Sequence, residues 1–148
     1  MIRFSPLLLL VACGSDDPGL PPPVFPEDYA ASYVEVRDCR SSSDHDLHKI
    51  RVLADPASLD PYMTRTGGFP AGAIVLKEEY DFADADCTGE IIEWTVMQRN
   101  DDSATGGWLW QRIAPDRSLI TQNEDRCIGC HDFCGKPPDG YEGTCALP

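Results

Sequence analysis

The chain has 148 residues and a formal net charge of −13 at pH 7, and its length suggests one domain. The negative charge argues against nucleic acid as a partner, because phosphates would be repelled, and against a basic patch for membrane surfaces. It favours solubility, or the steering of a basic redox partner protein. Seven cysteines are unusual for a reducing cytosol and indicate an oxidising compartment.

The first residues resemble a bacterial lipoprotein signal. Arg3 precedes an apolar run over residues 4–12, which ends at Cys13. The run is too short to span a bilayer. We therefore predict a signal peptide over residues 1–12, lipidation of Cys13, and an exported protein that meets the membrane only through this anchor. Glycine rather than aspartate at position 14 favours the bacterial outer membrane, on its periplasmic side or at the cell surface. A short secretion signal without lipid is the alternative.

The remaining chain divides into a tether and a folded domain. Residues 13–24 are rich in proline and cannot pack a core, so we expect the domain to occupy residues 25–148. Its predicted elements are, in chain order, a helix start at 26–31, strands at 33–37 and 48–53, a short helix at 56–65, and strands at 73–80, 91–99 and 108–113. Few signals follow until residue 127. This order predicts an α+β domain with an antiparallel sheet and flanking helices.

A CxxCH motif lies near the C-terminus, at Cys127, Cys130 and His131. It is the signature of c-type haem attachment. Two thiols one helical turn apart can bond the two vinyl groups on one porphyrin edge, while the adjacent histidine reaches the iron. We predict covalently bound haem c with His131 as the iron ligand. Two alternatives stay open: a zinc site that uses these thiols with two other cysteines, and a structural lipoprotein in which the six cysteines other than Cys13 all form disulfides.

Four cysteines remain after lipid and haem are assigned: Cys39, Cys87, Cys134 and Cys145. They allow two disulfides in three pairings. A Cys134–Cys145 bond would staple the short tail behind the motif, and a Cys39–Cys87 bond would tie an early strand to a later loop. We prefer this pairing because a tail with little packing would gain from a staple.

The late position of the motif bears on the second axial position of the iron. Only 17 residues follow His131, and none is Met or His, whereas small cytochromes of the mitochondrial type take a methionine ligand from downstream. The upstream candidates are His45, His48, Met63 and Met97. Both histidines lie in or beside a polar loop and are interpreted as surface residues, and both methionines as core filler. We predict an open distal side that binds or transforms a small molecule, with pure electron transfer as the alternative.

Six segments follow one another in a characteristic order: FPEDY at 25–29, HKIRVLADP at 48–56, GFPAGAIVLKEEY at 68–80, TVMQR at 95–99, GGWLW at 106–110 and CIGCH at 127–131. Together they resemble the cytochrome P-460 family, which includes the cytochromes c-prime-beta. The resemblance covers roughly residues 25–133. It implies an antiparallel sheet with flanking helices, often in a homodimer, an open distal site, and either hydroxylamine oxidation or nitric oxide binding.

The resemblance also points to a lysine. Hydroxylamine-oxidising members link a lysine to the porphyrin ring in a Gly-x-x-x-x-Lys-Glu context, which residues 72–78 match. This implies that Lys77 is the cross-linking residue. Strand alternation places Lys77 and Glu79 on one face, so a pairing of Lys77 with Glu79 or a path to solvent is the alternative.

A carboxylate near the distal pocket accepts substrate protons in the oxidising members. The resemblance aligns that position with Trp94, one residue after Glu93. Glu93 is therefore the candidate proton acceptor. A Trp94 that faced the haem would instead make the pocket bulky and apolar, as suits a nitric oxide binder.

Overall fold

The computed structural model describes residues 19–145. Within them, one six-stranded antiparallel sheet has its strands in sequence order. The strands are β1 (Val34–Ser41), β2 (Lys49–Ala54), β3 (Ile74–Tyr80), β4 (Ile91–Arg99), β5 (Trp108–Ile113) and β6 (Leu119–Gln122). The helices are α1 (Leu59–Thr64) and α2 (Asp125–Cys134), with 3₁₀ turns at Tyr29–Ala31 and Ser103–Thr105. The predicted α+β class and antiparallel sheet are confirmed.

Most predicted elements are present, with shifts that have physical causes. The N-terminal helix is only a 3₁₀ turn, and α1 begins three residues later than predicted, at Leu59. Asp55 explains the delay, because its carboxylate accepts hydrogen bonds from the Ser58 and Ile74 amides at 2.8 and 3.0 Å and holds a turn there. Strand β6 was not predicted. It is a short edge strand with every second residue exposed, which leaves little hydrophobic pattern to detect.

The sheet has two buried faces, which follow from strand alternation. Lys77 of β3 lies opposite Thr95 of β4 in the strand pairing, and Leu76 lies opposite Val96. We call the face that carries Lys77 the pocket face and the face that carries Leu76 the closed face. The closed face is covered by the segment at residues 24–33, whose aromatic side chains complete an apolar cluster. Helix α2 and the C-terminal tail pack against the pocket face.

Two disulfides are present in the described chain. Cys39 at the end of β1 is bonded to Cys87 in the loop after β3, and Cys134 at the end of α2 is bonded to Cys145. These are the two pairs that the sequence favoured. Cys13 and the signal segment lie outside the described residues. Among residues 19–145, no helix is both long and apolar enough to cross a membrane.

Candidate functional site

Helix α2 carries the three residues of the CxxCH motif. Because the cysteines are three residues apart on a helix, they lie on neighbouring turns of one side. Cys127 is half-buried and Cys130 is exposed, and these two are the free cysteines among residues 19–145. Together with His131 they line a cavity of about 980 Å³, measured with its open mouth, between α2 and the pocket face.

His131 is held in the form that a metal ligand needs. Its side chain is buried at 8% exposure, and Nδ1 lies 2.6 Å from the carbonyl oxygen of Gly143. Nδ1 must therefore carry the proton and donate it, which leaves the lone pair on Nε2. Burial, and then the charge of Lys77, lower the pKa of His131 to about 3. The imidazole is thus neutral at pH 7, and its ring lies 4.6 Å from that of Trp110.

Lys77 lines the same cavity and contacts a histidine. Its Nζ lies 2.7 Å from Nε2 of His45, and Nδ1 of His45 lies 2.9 Å from a carboxylate oxygen of Glu79. Burial lowers the pKa of Lys77, although the charge of Glu79 opposes this. Burial and then the charge of Lys77 also lower the pKa of His45. A neutral His45 accepts at Nε2 from Lys77 and donates from Nδ1 to Glu79.

Glu79 is the most densely hydrogen-bonded carboxylate of the pocket face. Its side chain is 3% exposed, and it also accepts hydrogen bonds from His48 Nδ1 at 2.8 Å and Thr95 Oγ1 at 2.9 Å. Burial alone would raise the pKa of Glu79, but the hydrogen bonds from His45, His48 and Thr95 hold it below its ordinary value. Glu79 therefore stays ionised and orients both histidines.

The interpretation of His45 and His48 as surface residues is wrong, since their side chains are only 19% and 25% exposed. The loop at residues 42–48 folds back because Asp46 and Leu47 adopt positive φ angles of 50° and 65°, which side chains other than glycine rarely do. Such a loop conformation leaves no signal in a polar sequence.

Glu93 lines the cavity, and Trp94 does not. Arg112 of β5 holds the Glu93 carboxylate through two hydrogen bonds, at 2.5 and 2.9 Å. The indole of Trp94 lies on the closed face, where it donates to the hydroxyl of Tyr29 at 3.0 Å. The possibility that Trp94 fills the pocket is therefore wrong, because a shift of one residue along a strand changes the face.

Of the two methionines considered as iron ligands, one lines the cavity and the other does not. Met97 is buried against the cavity. Met63 lies on α1 with 47% of its surface exposed and is not among the residues that line the cavity. Met97 and Val75 provide apolar wall between the charged groups.

A second cavity of about 760 Å³ shares Lys77, Cys130 and His131 with the first. On its wall, Nε of Arg37 and the hydroxyl of Tyr62 are buried without a hydrogen-bond partner. Unpartnered buried donors of this kind are costly unless a ligand accepts from them. Haem is a flat apolar ring that bears two carboxylates, so these donors, the apolar wall, the two thiols and the neutral imidazole all fit it.

The rival uses of the cysteines are not supported. A zinc site with four cysteines would need two more thiols, but the other cysteines of the described chain are in disulfides. Across residues 19–145, no group of three or more His, Cys, Asp or Glu side chains is arranged to hold a metal ion. Cys127 and Cys130 also remain unbonded to each other and to any other cysteine.

The residues of this site that sequence reasoning missed include Thr95, Arg112 and Gly143. Thr95 and Arg112 lie on predicted strands, and alternation puts each of them on one face of its own strand. Only the strand pairing, which sets Thr95 opposite both Lys77 and Arg112, shows that all three lie on the same face of the sheet. Gly143 acts through its backbone carbonyl, for which the sequence carries no signal.

Two thiols on one helical side and a neutral histidine, set against an antiparallel sheet, define a site of the c-type cytochrome class. The family model described as Cytochrome P460 matches residues 26–136. The chain belongs to this family, which is a family of haem c proteins. A comparison with curated proteins finds no match. The family match includes the whole CxxCH motif and Lys77, and it ends before the tail at residues 137–145.

Proposed function

We propose that this protein is an exported c-type cytochrome that binds haem through Cys127, Cys130 and His131 and oxidises a small nitrogen compound of the hydroxylamine type. The observation that carries the redox assignment is the polar lining of the cavity, which includes Glu93, Glu79 and His45. A cavity lined by the apolar Trp94 would instead have favoured simple nitric oxide binding. Family membership supports the haem.

Covalent attachment needs only the two thiols. Each Sγ forms a bond to one carbon of a vinyl group, the other vinyl carbon takes the thiol hydrogen, and the double bond becomes single. No external oxidant is consumed. The exposure of Cys130 and partial exposure of Cys127 leave both sulfurs accessible. His131, with its lone pair on Nε2, would supply a nitrogen ligand to the iron.

When bound, the haem would supply the redox chemistry, as an acceptor of electrons from the substrate and a donor to a redox partner protein. Oxidation of hydroxylamine releases protons together with the electrons, so the pocket must remove protons. Lys77 and His45 share a hydrogen bond in which Nε2 of His45 can accept a proton. Glu79 stabilises the imidazolium from the Nδ1 side. His48, bonded to the other oxygen of Glu79 and 25% exposed, leads from the pocket towards solvent.

Lys77 is also the proposed cross-link to the ring. Joining Nζ to a ring carbon replaces one N–H and one C–H bond by an N–C bond, and this oxidation requires an oxidant of the peroxide class. The lowered pKa of Lys77, caused by burial, increases the fraction of neutral amine with a free electron pair.

Export and lipid anchoring at Cys13 belong to the same proposal. Two disulfides in the described chain are typical of an oxidising compartment, and c-type haem is attached outside the cytoplasm.

The first test is haem staining after denaturing electrophoresis, in cells that contain haem-attachment machinery. We expect the unaltered protein to stain, the double variant Cys127→Ser/Cys130→Ser to lose the stain, and the control Cys39→Ser/Cys87→Ser to keep it. An unstained, fully matured protein would overturn the haem proposal.

The second test is the absorption spectrum of the reduced protein. A cross-linked Lys77 shifts the Soret band far to the red, and Lys77→Arg should return it to that of an ordinary c-type cytochrome. An ordinary spectrum in the unaltered protein would remove the cross-link from the proposal. Oxidation of hydroxylamine with an artificial electron acceptor then tests the activity directly.

A further inference from the structure

The C-terminal tail lies beyond the family match, which ends at residue 136, yet it reaches the haem-attachment site. The carbonyl oxygen of Gly143 lies 2.6 Å from Nδ1 of His131. His131 is contributed by α2, and the carbonyl that contacts it belongs to a segment outside the family match. The tail therefore touches the proposed iron ligand from beyond the matched residues.

Three hydrogen bonds fix the tail against β5 and against the loop that precedes β3. The carbonyl of Glu142 accepts a hydrogen bond from the indole of Trp108 at 2.8 Å, and its carboxylate accepts one from the Phe69 amide at 3.3 Å. The hydroxyl of Tyr141 accepts one from the Gly68 amide at 3.1 Å. Because Trp108 is fully buried, the position of the tail is set by the core.

Residue 143 must be glycine for this contact to form. Its φ angle is +89°, and a Cβ there would lie 2.8 Å from Nε1 of Trp108. Both the left-handed backbone and the close approach exclude a larger residue without movement. The Gly143 amide also donates to the Gly135 carbonyl at 3.0 Å, and the Cys134–Cys145 disulfide closes the loop around this bond.

We propose that the stapled tail is a positioning element for the haem ligand: Gly143, held by the Cys134–Cys145 disulfide, fixes the orientation of His131 and sets the reduction potential of the haem. A hydrogen bond from Nδ1 to a carbonyl keeps the proton on that nitrogen and raises the basicity of Nε2. A more basic ligand stabilises the oxidised iron, which lowers the reduction potential. This inference rests on the proposed haem attachment.

The test compares two variants that each lose one disulfide. Cys134→Ser/Cys145→Ser releases the tail, and Cys39→Ser/Cys87→Ser, which breaks a bond whose cysteines line neither cavity, is the matched control. Reduction potentials are measured by spectroelectrochemistry, and the iron–histidine stretching frequency of the reduced protein by resonance Raman spectroscopy. We expect the tail variant to show a higher potential and a lower stretching frequency, with both quantities unchanged in the control. Equal shifts in the two variants, or no shift in either, would overturn the proposal.

A single substitution tests the carbonyl itself. Gly143→Ala keeps the disulfide but adds the Cβ that meets Trp108, so we expect shifts in the same direction as in the tail variant. If Gly143→Ala retains the potential and frequency of the unaltered protein, the carbonyl contact does not set them and the proposal fails.

A third measurement tests the contact between the tail and His131 independently of the haem, and it needs no substitution. In the full chain before haem attachment, the ring nitrogen chemical shifts of His131 report its tautomer. The tail contact requires the proton on Nδ1, and a proton on Nε2 would contradict the positioning role whether or not haem is later attached. An absence of haem staining in the unaltered protein, by contrast, would overturn the proposed function and with it the effect on the reduction potential, while the tautomer would still show whether the tail orients His131.

Discussion

Glu78 and Glu79 are neighbours in β3, are both 2% exposed, and lie on opposite faces of the sheet. On the closed face, Glu78 accepts hydrogen bonds from the hydroxyls of Tyr29 and Tyr80, both at 2.7 Å, and pairs with Arg51. On the pocket face, Glu79 is bonded to two histidines and a threonine. The two carboxylates are equally buried but have different kinds of partner.

The partners decide what each carboxylate can do. Tyr29 keeps its proton at neutral pH, because burial and then the hydrogen bond to Glu78 raise its pKa to about 12. The Glu78 cluster therefore holds fixed protons and serves to stabilise the fold. The imidazoles bonded to Glu79 can each accept a proton on one ring nitrogen and donate one from the other, so the Glu79 cluster can pass protons. Burial alone does not mark a functional carboxylate, whereas the chemistry of its hydrogen-bond donors does.

The largest effect is expected on the stability of the fold, when a buried carboxylate of the closed face is changed. Glu78→Gln leaves the Arg51 guanidinium partly buried without its counter-charge, and we expect the free energy of unfolding to fall by about 3 kcal/mol. Urea denaturation measures it. The matched control is Glu35→Gln, which removes a more exposed partner of Arg51 at 3.6 Å and should cost less than about 1 kcal/mol. Haem staining and the reduced spectrum should be unchanged in both, and a changed spectrum in Glu78→Gln would mean that the faces are not separate.

The second largest effect is expected on the rate of substrate oxidation, when a side chain of the pocket face is changed. His45→Gln removes the proton acceptor beside Lys77, and we expect the rate of hydroxylamine oxidation to fall on the order of 100-fold with haem content unchanged. His48→Gln is the control on the same carboxylate, and it should fall less because His48 has no hydrogen bond to Lys77 in the structure. Equal rates in His45→Gln and the unaltered protein would rule out this role.

A smaller effect tests the placement of Trp94. Trp94→Phe removes the indole donor to Tyr29, and we expect a loss of about 1 kcal/mol in the free energy of unfolding with no change in the affinity for nitric oxide or in the oxidation rate. The comparison is Trp110→Phe, beside the ring of His131, which should alter the haem spectrum. A changed ligand affinity in Trp94→Phe would place that side chain in the pocket after all.

The smallest expected effect is the pH dependence of stability. The pKa of His45 is lowered in the folded chain, so its contribution is complete above its unfolded pKa of about 6.5 and is lost as the pH falls towards the folded value. Glu79, also lowered, adds a second loss below about 4.3. Urea denaturation across this range should show both stages. His45→Gln should weaken the first stage, and an unaltered first stage would contradict the burial of a neutral His45.

Much of this architecture could be predicted because it depends on local patterns. Strand β4 has the predicted bounds and β3 begins only one residue later, since each combines β-branched and apolar residues with clear flanking turns. The CxxCH motif predicts the proposed haem attachment residues for the same reason, because the attachment chemistry fixes their spacing within one helical turn. The alternation of β3 correctly placed Lys77 and Glu79 on one face.

The sequence by itself determined the class of fold and the family, and it predicts the residues for haem attachment and the lysine of the proposed cross-link. Only the tertiary structure decided that Glu93 rather than Trp94 faces the cavity, that His45 and His48 converge on Glu79, and that the Gly143 carbonyl reaches His131. These contacts join residues far apart in the chain through strand register, positive φ angles and backbone atoms. Register changes the face of every residue with a shift of one position, and backbone groups are the same in every residue, so neither leaves a local pattern to read.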